Sequence, residues 1–233
     1  MFKYGGVVPR ESLTVEQIVS AAVELLDSEG LDGLNMRALG QRLGTAATAI
    51  YWHIKTKDEL VQLAGDAIWG EIELPDLEGT EWRAAATAMA TGLHGMLTRH
   101  PWLGQAFGNH LLAGPGKFRY DDHSLAIYEQ AGFAPADADR AAGTVVIFVI
   151  GSALGAAAEV SLTRRLSRGG RDPEQTMREF MAKAQEVAAE FPRLRVRLDT
   201  TAATQYGAEP DNTFDFGLQA ILDGFEKRLA ARQ

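Results

Sequence analysis

Within the thirteen residues from Thr45 to Lys57, the chain sets Thr48, Tyr51, Trp52, His53 and Lys57 close together. Their hydroxyl, phenol, imidazole and ammonium groups suit holding phosphates and reading base edges, not breaking bonds. Placed on a helix, Ile50 and Ile54 share one face at i, i+4, and Ala47, Thr48, Tyr51, Trp52 and Lys55 share the other. Thr48 offers a hydroxyl to a base or a phosphate, and the methyls of Ala47 and Ala49 suit a thymine methyl. Tyr51 and His53 have phosphate reach. Lys57 opens the next helix, whose positive end attracts phosphate as well. Earlier in the chain, Arg37 supplies a planar fork of the kind that grips a guanine edge in two places. Tyr51 and Trp52 also fit plain helix packing, and for His53 a packed role and a phosphate contact stay open. Arg42 is read as a solvated helix charge.

Positioning such a group takes two short helices and a tight turn. A first helix opens at Thr14 with Gln17 three residues on, a capping-box spacing, and stops at Gly30. Its apolar stripe is Ile18, Ala21, Ala22, Leu25 and Leu26. A second helix spans about Met36 to Leu43 behind Asn35, and Gly44 ends it. A third spans about Ala46 to Ile54 with Thr45 at its cap, and a fourth starts behind Thr56 with Glu59 completing another box. Two short helices joined by three or four residues at Gly44 have the spacing of a helix-turn-helix, whose second helix enters the major groove. The DNA-contact set is therefore Arg37, Thr45, Ala47, Thr48, Tyr51, Trp52, His53 and Lys57.

Helical periodicity continues beyond a break at Leu74–Gly79, at roughly 80–99, 102–112, 119–131, 136–165, 173–190 and 212–231. Residues 191–211 carry no clear period and hold either a short helical piece or a mobile loop. The fold class is all-α: a three-helix helix-turn-helix domain over 1–55, then a helical ligand-binding and dimerisation domain over 56–233.

The formal net charge of −8 looks wrong for a DNA binder. The distribution answers this, because Gly33 to Lys57 holds Arg37, Arg42, Lys55 and Lys57 and no acid. A nonspecific genome-coating protein is disfavoured. With no cysteine, disulfides, thiolate zinc sites and cysteine nucleophiles are excluded. The histidines show no metal-ligand spacing, and neither a serine elbow nor a phosphate-cradling glycine loop stands out. The expectation is a non-enzyme without cofactor or metal. The first residues lack a secretory h-region, so a cytoplasmic protein is expected.

Ala141 to Ala158 is an uncharged run of eighteen residues. Half of it is Ala, Gly, Ser or Thr, so a buried helix at a subunit interface fits better than a membrane span. Paired with the apolar stripe of the last helix, it gives a four-helix dimer core. The expected interface residues are Val145, Phe148, Ile150, Gly151, Gly155, Phe214, Leu218, Ile221, Leu222 and Phe225. Trp82, Met89, Trp102, Phe107, His110, His123, Tyr128, Phe148, Met177 and Met181 are candidates for lining an apolar cavity with a few polar anchors, although each also suits ordinary core.

The run from Leu43-Gly44 through Tyr51-Trp52-His53 to Lys57-Asp58-Glu59-Leu60 resembles the tetracycline-repressor (TetR) family, as do Ala21-Ala22-x-Glu24-Leu25-Leu26 and Gly30-Leu31-x-Gly33-Leu34. The last helix, from Phe214 to Glu226, is similar to the C-terminal helix of such bodies. The resemblance implies a homodimeric repressor that holds a palindromic operator of double-stranded DNA and lets go when a small apolar or amphipathic effector binds. It also implies that Arg37 reads a guanine and that Tyr51, Trp52 and Lys57 touch the backbone. Ala47, Thr48 and Ala49 depart from the tetracycline repressors, so a different operator is expected. An effector-independent activator or architectural binder, and a small-molecule-binding protein without DNA binding, are the rival readings.

Overall fold

The computed structural model describes residues 13–205, 207 and 212–231, and no strand occurs among them. Helix α1 (Val15–Gly33) begins with the capping box expected at Thr14: its Oγ1 accepts from the Gln17 amide at 3.2 Å, and Gln17 Oε1 accepts from the Thr14 amide at 3.0 Å. Gly30 does interrupt the helix, at φ +69°, but one further turn follows to Gly33. Ile18, Ala21, Ala22, Leu25 and Leu26 face inward. Helix α2 (Met36–Leu43) is capped by Asn35 Oδ1, which accepts from the Ala38 amide at 2.9 Å, and ends at left-handed Gly44.

The chain then turns within three residues into α3 (Ala47–His53). Ala46, not Thr45, is the cap, without a side-chain bond. The Thr45 amide instead donates to the Gly40 carbonyl at 2.9 Å, and α3 starts one residue later than the sequence suggested. Gly40 permits that approach, since a Cβ there would lie 2.8 Å from the Thr45 carbonyl oxygen. Helix α4 (Lys57–Ile68) has the expected Thr56 cap, but Glu59 reaches the Lys55 amide at 2.7 Å and leaves the box open.

After a 3-10 turn (Trp69–Glu71), the body is built from α5 (Trp82–Arg99), α6 (Trp102–Asn109), α7 (Pro115–Gln130) and α8 (Pro135–Arg168), with α9 (Pro173–Ala188), α10 (Pro192–Arg195), α11 (Thr201–Thr204) and α12 (Thr213–Ala230) completing it. Helix α7 starts four residues before the expected 119. Pro115 sits in its first turn, and the Asp66 carboxylate of α4 accepts from the amides of Gly116 (3.1 Å) and Lys117 (3.0 Å). Helix α8 is the spine, packed against α5, α6, α7, α9 and α12. Residues 191–205 hold the two single-turn helices α10 and α11.

One apolar core runs unbroken through the molecule, from Ile18, Leu26 and Leu39 through Leu60 and Ala64 to Trp69, Leu93, Leu103, Val149 and Leu222. Helix α4 packs on α1 on one side and on α7 on the other, so it links the head to the body.

Candidate nucleic-acid interface and effector body

Ile50 and Ile54 are fully buried, and their burial turns the opposite face of α3 outward. Trp52 is 80% exposed and Tyr51 46%, with Thr48 and His53 exposed beside them. An indole so far out of the core stabilises nothing within the chain, so the packing reading fails for Trp52, and His53 is not a packed histidine. Ala47 is half-buried and leans on the core. Arg37 stands exposed in the first turn of α2, with no ion pair among the described residues.

The other cations are engaged. Arg42 donates to Glu24 through Nε (3.0 Å) and Nη2 (2.7 Å), an exposed pair worth about 0–1 kcal/mol. Lys55 Nζ donates to the carbonyls of Tyr51 (2.8 Å) and Trp52 (2.9 Å), closing the C-terminal end of α3. Lys57 Nζ donates to the Leu31 carbonyl at 2.7 Å and ties the start of α4 to the end of α1. The position read as a phosphate contact is thus also a strut of the head, because its four-carbon stem reaches a carbonyl that the Gly30 kink leaves open.

Beneath the head lies a polar joint that the sequence did not reveal. His100 is only 6% exposed. Its Nδ1 lies 2.7 Å from Asp27 Oδ1 on α1, and its Nε2 lies 2.9 Å from Glu71 Oε1 on the 3-10 turn. Trp102 Nε1 donates to the same Asp27 oxygen at 2.8 Å, and Arg99 pairs with Glu71 at 2.8 Å. Burial alone disfavours the charged ring, but the hydrogen bonds and charges of Asp27 and Glu71 outweigh it and raise the His100 pKa above the ordinary 6.5. For Glu71, burial pushes the pKa up, while the bond from Arg99 and the charge on His100 pull harder, leaving it below the usual 4.5. From α8, Arg164 donates to the Asp27 carbonyl, and Arg168 donates to Glu29 at its carbonyl (2.5 Å) and its carboxylate (3.0 Å). The body's arginines therefore sit at the negative end of α1's first segment. The Arg99-His100-Pro101 run signals only the end of α5, since a residue ahead of proline is driven out of the helix.

In the body, the effector candidates do not gather in one place. Met89, Trp102 and Tyr128 are buried, and Trp102 belongs to the joint. Tyr128 is closed in by Trp82 (6.4 Å), Phe133 (6.0 Å) and Phe225 (5.9 Å), an aromatic core cluster. His123 Nε2 is spent on the Pro75 carbonyl at 2.8 Å, Phe107 packs on the core, and His110 Nδ1 lies 3.3 Å from Asp58 Oδ1 at the start of α4. Met177 and Met181 sit on α9, and Met181 lines an apolar cleft of about 480 Å³ with Ala184, Ala188, Leu194 and Leu198. Phe148 does meet other rings: it stacks on Phe214 at 5.9 Å, which stacks on His94 at 4.2 Å, between α5, α8 and α12.

The residues expected at the dimer face divide between the chain's own core and its surface. Val145, Leu218 and Leu222 are buried within one chain and line its core. Gly155 faces the chain itself, since a Cβ there would lie 3.0 Å from the Gly207 carbonyl oxygen. Phe148, Ile150, Phe214, Ile221 and Phe225 are half-buried against the core. Helix α8 sends Ala138, Ala141, Val145, Val149, Ala153 and Ala157 inward and presents Ile147 (73% exposed), Gly151 and Leu154 (48%) outward, while α12 presents Phe216 (79%). A helix apolar on every side hides which stripe its own chain takes.

A helix-turn-helix with an exposed aromatic face, carried on an all-α body, defines a DNA-binding transcriptional regulator. Residues 18–64 match the family described as bacterial regulatory proteins, tetR family, and residues 74–229 match the tetracyclin repressor-like C-terminal domain; the chain belongs to the TetR family. It is 43% identical over 140 residues to an HTH-type transcriptional regulator of Saccharopolyspora erythraea, an alignment covering 60% of this chain and 59% of that relative. It is 32% identical over 229 residues to the HTH-type transcriptional repressor DrrR1 of Streptomyces coeruleorubidus, covering 97% of this chain and 82% of DrrR1. In fold it is similar to the Streptomyces coelicolor TetR family protein ActR in complex with actinorhodin, with a TM-score of 0.72 and 26% identity over 92% of this chain and 96% of ActR.

Proposed function

We propose that this chain is a ligand-responsive repressor that binds an imperfect palindromic operator as a homodimer and is released by a small apolar or amphipathic effector. The observation that carries it is the exposed Tyr51–Trp52 face of α3, held out by buried Ile50 and Ile54 beside an exposed Arg37. Arg37, Thr48, Tyr51, Trp52 and His53 are the outward candidates for base and phosphate contact, and Thr45, Ala47 and Lys57 shape the approach. The head comprises residues 1–55 and the body 56–233, with α4 as the link. The exposed stripe of α8 and Phe216 of α12 form the dimer face, a surface too apolar to be left to water. The chain acts in the cytoplasm as a regulator, not as an enzyme.

That ActR is seen in complex with actinorhodin supports a small-molecule effector, and the repressor name of DrrR1 supports negative control. The mechanism is a population shift in which effector favours a head separation that no longer fits successive major grooves. A near-complete flip needs roughly 10⁴-fold differential affinity. The test is a cell-free selection for bound oligonucleotides. An enriched palindrome with half-site centres about 34–36 Å apart is expected, and a selection that enriches no palindrome overturns the reading. Release of the selected DNA by a panel of amphipathic aromatic compounds, actinorhodin among them, then separates a ligand-gated repressor from an effector-independent regulator.

A further inference from the structure

His100 joins parts of the chain far apart in sequence: Asp27 of α1, Glu71 after α4, and Trp102 at the start of α6 through the oxygen they share. Ionised carboxylate oxygens only accept hydrogen bonds. With one at 2.7 Å from Nδ1 and another at 2.9 Å from Nε2, both ring nitrogens must donate, and only the imidazolium has two N–H groups. When the ring, itself buried, loses one proton, a nitrogen lone pair faces a carboxylate lone pair, and one of the two ties becomes a repulsion.

We propose that His100 is a positioning residue for operator binding: its cationic ring pins the DNA-binding head to the body, so that operator affinity depends on whether the ring is charged. This rests on the reading that the head binds DNA. A pinned head has already lost the orientational freedom that docking into a groove would otherwise remove, so an unpinned one binds more weakly. The charged groups facing the ring and its partners are Asp27 from α1, Glu71 from the 3-10 turn, Arg99 at the end of α5 on Glu71, and Arg164 from α8 on the Asp27 carbonyl. The two arginines hold the acceptors in place but do not touch the ring nitrogens, so the ring proton is the component that changes with pH.

The experiment uses the full chain, and the ring titration of the exposed head histidine, His53, is followed separately in the same spectra so that its pH dependence is told apart from that of His100. Long-range proton–nitrogen NMR reads the His100 ring nitrogens from pH 6 to 9, and fluorescence anisotropy reads binding to the selected operator over the same range. Both nitrogens should be protonated at pH 7. Operator affinity should fall by about tenfold as the ring titrates, a change the lost preorganisation can supply. His100→Gln should give the weak affinity already at pH 6.5 and flatten the profile. Asp27→Asn, which keeps an acceptor for Trp102 and removes the charge, should move the midpoint to lower pH. Circular dichroism melting confirms that each variant is folded. A neutral ring at pH 7, or a His100→Gln profile matching that of its parent, overturns the proposal. A selection that enriches no DNA fails the DNA-binding reading, while the ring titration still decides whether the pin is charged.

Discussion

Replacing Gly40 by alanine sets two effects against each other. In an ordinary helix interior the change is stabilising by about 1 kcal/mol, because alanine gives up less conformational freedom. Here the added Cβ would lie 2.8 Å from the Thr45 carbonyl oxygen and 3.2 Å from the Ala47 nitrogen. Both neighbours are backbone, so no flexible side chain can swing aside. The turn itself must give by several tenths of an ångström, against the bond from the Thr45 amide to Gly40. Overpacking of this kind costs about 1–3 kcal/mol, so the net loss of stability should be about 0–2 kcal/mol. The larger effect falls on DNA. The displaced turn carries α3, and a weakened base contact costs about 1–3 kcal/mol, so operator affinity should drop by roughly five- to 150-fold. Urea denaturation gives the first number and anisotropy with the selected operator gives the second. Gly44→Ala is the control: it meets no atom within 4 Å but holds φ +63°, so it should lose about 1–2 kcal/mol through backbone strain without pushing on α3. A Gly40→Ala protein that is stabilised by the full helix-propensity gain and binds operator as before would refute the steric argument.

Other consequences are open to measurement. Trp52→Ala should leave the urea midpoint within about 0.5 kcal/mol of the parent, because the ring is 80% exposed, yet weaken operator binding; a large loss of stability would show that the indole packs after all. Arg37→Ala should cost about 1–3 kcal/mol of operator binding and relax one base position in a repeated selection, and an unchanged sequence preference would remove Arg37 from reading. Asp66→Ala strips the N-terminus of α7 of its cap and should cost about 0.5–2 kcal/mol in denaturation, with faster amide exchange at Gly116 and Lys117 as the local sign. Stability should also follow the joint's ionisation. His100, with its pKa raised, contributes fully below 6.5, and its contribution is lost as pH rises through the folded-state value. Glu71, with its pKa lowered, contributes above 4.5, and its contribution is lost as pH falls through its own. Thermal melts should therefore show their joint maximum between about pH 5 and 6.5, and His100→Gln should remove the alkaline side of that maximum.

The head was largely legible because its signals are local. Thr14, Asn35, Gly44 and Thr56 mark helix ends through bonds to residues at most four positions away, and the Ile50–Ile54 pair fixes which way Trp52 points. Thr45 was misplaced as a cap because the competing bond to Gly40 depends on the turn's geometry, not on residue type. In the body, composition located α8 and α12 but could not orient them. Val145 and Ile147 are both β-branched, and only packing on α5, α7 and α12 decides that Val145 is covered and Ile147 open. The joint was illegible for a different reason. Asp27, Glu71, His100 and Arg164 look like ordinary surface charges, and their meeting is a product of the fold.

The arrangement of the head has an evolutionary consequence. Helix α2 rests on α1 and α3 rests on α2, whereas the ties to the body run through α1, α4 and the residues after α4. The segment 36–54 is thus a cassette bounded by Asn35 and Thr56, two residues that cap helices whatever lies between them. Exchange of that cassette among relatives would rewrite which DNA is recognised while inheriting the transmission intact, so operator repertoire and signal response can diverge on separate clocks.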